Sequence, residues 1–199
     1  MKLRPFCSVV CVTGLVSLGE AVQYSITDLG VGTATRINDS GSVIVGDHVW
    51  DPANGDRYLG TLGGATTQAC GLNNAGEVVG VSEDGSGHFR AFYWKDGEIE
   101  DLGLGQSSSA VAINNHGAII GASPDGHAYL MTDAEVIDLG FGTQVWDLND
   151  NGQMLGSPGI WHGTGDGMWD AGTWTKISVI APLSINNHTQ AVGHGSMMW

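Results

Sequence analysis

Apolar positions along the chain come in short bursts. Val43-Ile44-Val45, Val78-Val79, Ile119-Ile120, Met154-Leu155 and Ala191-Val192 are each flanked by polar turn residues. Short aliphatic bursts bounded by Gly and Asn predict buried strands. No segment beyond the N-terminus sustains a helical period. Every burst follows one recurring turn. An aliphatic residue (Ile37, Leu72, Ile113, Leu148, Ile185) is followed by Asn (Asn38, Asn73, Asn114, Asn149, Asn186). Then comes Asp or Asn (Asp39, Asn74, Asn115, Asp150, Asn187), one variable residue, and Gly41, Gly76, Gly117 or Gly152, with Thr189 in the fifth copy. Asn-Asx-x-Gly is turn chemistry: the amide bonds its own backbone and Gly accepts positive φ. A second Gly (Gly46, Gly80, Gly121, Gly156, Gly193) closes each copy.

The copies begin 35, 41, 35 and 37 residues apart. A near-constant period of this size means stacked or circular units. Two further strands fit in each unit. One is aromatic, as in Arg90-Ala91-Phe92-Tyr93-Trp94 and His127-Ala128-Tyr129-Leu130-Met131. The other ends in Leu-Gly, as in Asp101-Leu102-Gly103 and Asp138-Leu139-Gly140. A unit therefore reads as four strands, a to d, with a and b joined by the Asn turn. Trp50, Trp94, Met131, Trp169 and Trp199 share one position on strand c, which predicts packing between units. The chain opens on a lone d strand at residues 24–30 and ends on a, b and c. The predicted fold is all-β: a five-bladed propeller of four-stranded blades, its last blade closed by residues 24–30 with the C-terminal strands. An open solenoid ranks second and a β-sandwich third.

The unit resembles the HAF repeat of exported bacterial proteins. The matching stretches are Tyr24 to Gly30, Leu59-Gly60-Thr61-Leu62-Gly63-Gly64, Leu72 to Gly80, His88 to Trp94, and Asp101-Leu102-Gly103. The literal His-Ala-Phe triplet is absent; Arg90-Ala91-Phe92 and His127-Ala128-Tyr129 come nearest. The resemblance implies an extracellular, propeller-like protein and carries over no catalytic residue.

Composition narrows the function. Lys2 and Arg4, the apolar run from Phe6 to Leu18 and the small residues Gly19 and Ala21 predict a signal peptide over residues 1–21, leaving 22–199 as a single secreted domain. The apolar run is too short to span a bilayer, so no membrane insertion is expected after cleavage. The full chain carries a net charge of −14, which argues against nucleic acid and anionic membranes. Cys70 alone remains after removal of Cys7 and Cys11, so the core must supply the stability, and a lone Cys in a strand pattern is expected to be packed. A monomer is expected.

Candidate chemistry falls on the loops that do not repeat. In a ring of this connectivity the b–c and d–a loops share one face, and the Asn turns lie on the other, where turn formation accounts for them. The b–c loops offer Glu83, Asp84, Asp125, Trp161, His162 and Asp166 as ligand-binding residues. Carboxylates, hydroxyls and an aromatic ring at one mouth suit a glycan or an extracellular protein. No cofactor is expected; Ca²⁺ is the candidate metal, through Glu83, Asp84, Asp125 and Asp166, although no dense Asp-x-Asp-x-Asp-Gly loop occurs. The preferred reading is a non-catalytic binding or scaffold module. The alternatives are a polysaccharide-active glycoside hydrolase, for which Asp147 is the one acidic residue on the a strands, and a structural envelope protein.

Overall fold

The computed structural model describes residues 8–15, 23–159, 166–177 and 180–194. The described residues form strands and turns, with no helix. The chain starts with a hairpin of β1 (Ser8–Leu15) and β2 (Gln23–Val31). Blade 1 follows as β3 (Ala34–Ile37), β4 (Val43–Val45), β5 (His48–Asp51) and β6 (Gly55–Tyr58). Blade 2 comprises β7 (Gly63–Leu72), β8 (Val78–Asp84), β9 (Phe89–Lys95) and β10 (Glu98–Asp101). Blade 3 comprises β11 (Ser109–Ile113), β12 (Ile119–Ala122), β13 (His127–Met131) and β14 (Val136–Phe141). Blade 4 comprises β15 (Gln144–Leu148), β16 (Met154–Ser157), β17 (Gly167–Asp170) and β18 (Thr173–Lys176). The fifth repeat gives β19 (Ile180–Ile185) and β20 (Ala191–His194), a two-stranded sheet.

Each blade is an antiparallel meander in chain order. The first strands touch their counterparts in succession, β3 with β7, β7 with β11, β11 with β15 and β15 with β19. They are therefore innermost, and the four sheets stand around an axis as propeller blades. Two expectations are corrected. There are four complete blades, not five; the fifth repeat supplies two strands among the described residues. Residues 24–30 do not close that sheet. They lie in β2 and pair with β1, Tyr24 opposite Gly14 and Asp28 opposite Val10. The run Ser8–Leu15 is rich in β-branched residues and lies next to β2 in the chain. A local hairpin costs less loop-closure entropy than pairing with the opposite end of the chain.

The core lies between blades. Ile44, Val49 and Leu59 of blade 1 pack with Ala69, Val78, Phe92 and Trp94 of blade 2. Val79 and Ala91, on the other face of blade 2, pack with Ala110, Ile113, Ile119 and Met131 of blade 3. Blades 3 and 4 meet through Ile120, Leu130, Leu139, Met154 and Trp169. Strands buried on both faces explain the uninterrupted aliphatic bursts, because neighbours in sequence serve opposite faces. Trp94, Met131 and Trp169 are buried at the expected strand c position and Trp50 is half-buried. Trp199 lies outside the described residues.

In the second, third and fourth copies the two glycines have different tasks. Gly76 closes a turn in which Asn73 N–H donates to Glu77 O and Gly76 N–H to Asn73 O, with φ of 80° at Gly76. The same two bonds recur in all five copies, and Thr189 adopts φ of 62° in the fifth. Gly80 instead faces a bulge. The register skips one residue of strand a opposite this glycine's neighbourhood in every repeat, at Thr35, Cys70, Val111, Trp146 and Leu183. A Cβ on Gly80 would stand 2.1 Å from Gln68 O, and one on Gly156 2.3 Å from Gln144 O. Close backbone approach across the bulge is what requires Gly there.

Candidate functional site

The Asn turns do more than turn the chain. Each first Asn accepts from its own turn through Oδ1, and the first four donate through Nδ2 to the main chain of the next repeat, whereas Asn186 Nδ2 donates to Gln190 Oε1. Asn38 Nδ2 reaches Asn73 O at 2.8 Å, Asn73 reaches Asn114 O at 3.1 Å, Asn114 reaches Asn149 O at 3.0 Å, and Asn149 reaches Asn186 O at 2.9 Å. A parallel series runs one residue on. The backbone N–H of Asp39, Asn74, Asn115 and Asp150 donates to Oδ1 of Asn74, Asn115, Asp150 and Asn187, at 2.7–2.9 Å. The first position thus needs both a donor and an acceptor, which an amide provides and a carboxylate does not. The second needs an acceptor, which Asp also provides. Asp150 Oδ2 takes amide bonds from both flanking repeats, Asn115 and Asn187. These bonds outweigh its partial burial and hold its carboxyl below the usual range. The sequence reading that turn formation explains these residues in full is therefore incomplete.

Four residues from each of the five repeats, centred on these turns, line an axial depression of about 350 Å³. Most of its polar rim is already engaged in the ladder. Asp147 lies in it, its Oδ2 accepting from Ser184 Oγ at 2.7 Å and Ile185 N–H at 2.8 Å.

A larger hollow, about 500 Å³, opens between blades 2 and 3 at the same Asn-turn face. Leu102, Ile119 and Met131 give it an apolar floor; Glu77, Tyr93, Lys95, His116 and Asp133 give it a polar wall. Glu77 is 8% exposed and receives three donors: Asn73 Nδ2 at 2.6 Å, Tyr93 Oη at 2.7 Å and Lys95 Nζ at 2.8 Å. Burial alone would favour the neutral acid, but these bonds outweigh it and the carboxyl lies below its usual range. Burial and the Glu77 bond raise the Tyr93 phenol, and the Glu77 bond raises Lys95. All three groups are thus fixed in their ordinary neutral-pH forms. A second hollow of about 350 Å³ shares Tyr93 and Lys95 and continues past Asp96, Glu98 and Glu100. In the β9–β10 register Glu98 stands opposite Lys95 and Glu100 opposite Tyr93, so the four share one face of the blade.

The repeat explains why the groove is open here. Glu100 pairs with Tyr93 as Arg57 pairs with Val49 in blade 1 and Ile137 with Leu130 in blade 3. Arg57 fills the corresponding seat between blades 1 and 2. Its guanidinium lies 4.9 Å from the Trp94 ring centroid and pairs with Asp51 at 2.8 Å. Ile137 packs against the core shared by blades 3 and 4. Glu100 is exposed instead, and Met131 is covered by the blade 2–3 core, with Tyr93 and Leu102 packed against that cluster, rather than by a residue at the Glu100 position. Sequence reasoning passed over Glu77, Tyr93, Lys95 and Glu100; the signal was the change of residue type, Arg57 to Glu100 to Ile137, at one repeat position.

The residues singled out on the b–c loops lie apart from this groove's lining. Glu83 Oε2 accepts from Ala65 N–H at 3.0 Å. Asp84 caps its own turn, accepting from Ser86 and His88 N–H, and pairs with Arg90 Nε at 2.6 Å; the Arg90 bond holds its carboxyl well below the usual range. Asp125 accepts from Ser123 Oγ and from His127 N–H, and the Ser123 bond lowers its carboxyl. Asp166 receives Ile177 N–H on its carbonyl at 3.2 Å. Trp161 and His162 lie outside the described residues. Among the described residues no three His, Cys, Asp or Glu side chains are grouped to hold a metal ion. Cys70 is half-buried at the blade 2 bulge, and burial pushes its thiol up.

No protein-family model matches the chain, and no curated protein matches it.

Proposed function

We propose that the protein is an exported, non-catalytic binding module for an extracellular glycan or protein, and that its ligand sits in the groove between blades 2 and 3. The observation that carries this is the hollow between blades 2 and 3, continued through Tyr93 and Lys95 to the exposed Glu100, where blades 1 and 3 place Arg57 and Ile137 against the following blade. An apolar floor with a few fixed polar groups is the usual make-up of a ligand site. The bonded trio Glu77, Tyr93 and Lys95 supports binding over acid–base chemistry. Its pKa values are driven away from neutrality, whereas a catalytic acid or base works best near the operating pH. The signal-like N-terminus and the HAF-repeat resemblance support export.

The test plugs the groove. Glu100→Ile copies the arrangement at Ile137. Wild-type and variant protein are screened on glycan and peptide arrays, beside an assay of reducing-sugar release. Ligands bound by the wild type without sugar release, and lost in the variant at unchanged melting temperature, support the module. Unaltered binding by the variant places the ligand elsewhere. Sugar release abolished by Asp147→Asn makes the protein a hydrolase.

A further inference from the structure

Resting on that groove, we infer that its occupant is an extended segment of a partner protein carrying Arg or Lys at alternate positions, laid along β10. The molecule provides the precedent. Between blades 1 and 2 the same seat is filled by a guanidinium, that of Arg57, stacked on Trp94 and paired with Asp51. Between blades 2 and 3 the guanidinium is missing and a carboxylate, Glu100, stands in its place. The floor changes from Trp94 to Met131, still an apolar surface for an aliphatic stem. Tyr93 offers a ring that attracts cations.

Charge and strand geometry complete the match. Five carboxylates line the two hollows: Glu77 and Asp133 in the larger, Asp96, Glu98 and Glu100 in the other. Lys95, held by Glu77 at 2.8 Å, already shows how an ammonium is received. Glu98 and Glu100 are two residues apart on one face, about 7 Å along the strand. Alternate side chains of an extended peptide have that same spacing. β10 is the outer strand of its sheet, and among the described residues no strand pairs with its far edge, which suits main-chain pairing by an extended segment. The exposed Glu98 and Glu100 carboxylates favour a basic segment over a neutral glycan through charge complementarity.

The experiment measures fluorescence anisotropy of a labelled octapeptide alternating Arg and Ser, and of its Glu-Ser counterpart, on the full chain. The Arg peptide is expected to bind and the Glu peptide not. Glu98→Gln with Glu100→Gln should weaken binding by about tenfold, whereas Asp28→Asn with Asp56→Asn, the same charge change away from the groove, should weaken it less than about twofold. Glu98 and Glu100 are exposed on an edge strand, and a melting curve checks that the fold is kept. Equal weakening by both pairs would mean diffuse attraction to an acidic protein and would overturn the inference. Absence of Arg-peptide binding would overturn it too. A glycan or neutral ligand that binds the wild type and is lost in Glu100→Ile would then leave the groove standing as a site with a different occupant.

Discussion

At the scale of single residues, the protein is built on asparagines that act twice. Asn114 is 5% exposed; its Oδ1 holds His116 and Ala118 N–H, and its Nδ2 crosses to Asn149 O. Asn114→Asp keeps the turn acceptor but replaces the donor facing Asn149 O with a carboxylate oxygen. Leaving a buried acceptor opposite an anion is expected to cost roughly 2–3 kcal/mol in urea unfolding. Asp39→Asn, at the second position, keeps the acceptor at an exposed site and is expected to change stability by less than about 0.5 kcal/mol. Glu77 adds a pH dependence. Its folded pKa is depressed, so its stabilisation is complete above the unfolded Glu value and is lost as pH falls through the folded one. The stability of wild type should therefore drop more steeply than that of Glu77→Gln as pH falls below about 4.5, measured by thermal melts across the acid range.

At the scale of elements, strand and bulge divide the glycines. Gly76→Ala meets open space and suffers only from φ of 80°, so a loss of roughly 1–2 kcal/mol is expected. Gly80→Ala drives a Cβ into Gln68 O and Ala69 Cα, which are backbone and cannot move aside. Its loss should exceed that of Gly76→Ala by at least about 2 kcal/mol, or the variant should fail to fold. Unfolding curves of the two variants side by side decide it. The sequence made the strands, the turns and the strand c packing position legible, because period-2 burial and turn chemistry are local. It did not reveal the β1–β2 pairing, since Ser8–Leu15 reads equally well as a leader and as a strand. The ladder was nearly legible: strict Asn at the first position against mixed Asn and Asp at the second marks a donor requirement. Only the inter-repeat distances show what the donor meets.

At the scale of the whole molecule, blades cohere through side chains packed from one to the next, and the proposed site is where blade 2 offers the exposed Glu100 in place of a side chain that reaches across. Arg57 and Ile137 reach across to the following blade; Glu100 does not. Glu100→Arg should consequently close the groove as Arg57 closes its neighbour, abolishing ligand binding without lowering the melting temperature. Removal of residues 1–21 takes away β1 and leaves β2 unpaired. Hydrogen exchange of residues 24–31 should then speed up relative to the full chain, unless β2 re-pairs with another sheet, in which case protection persists. The b–c loops with Glu83, Asp84 and Asp125 were the sequence's candidates because they do not repeat. Their carboxylates are taken up by local partners, an arrangement invisible without the turn geometry.

The claim that the ligand seat lies between blades 2 and 3 is tested most directly by chemical-shift mapping on isotope-labelled full-length protein titrated with the Arg-Ser octapeptide. The account predicts shifts at the Ile119 and Met131 methyls and at the amides of Tyr93, Lys95 and Glu100. Shifts confined to the b–c loops, at residues 83–88 and 123–127, would contradict it.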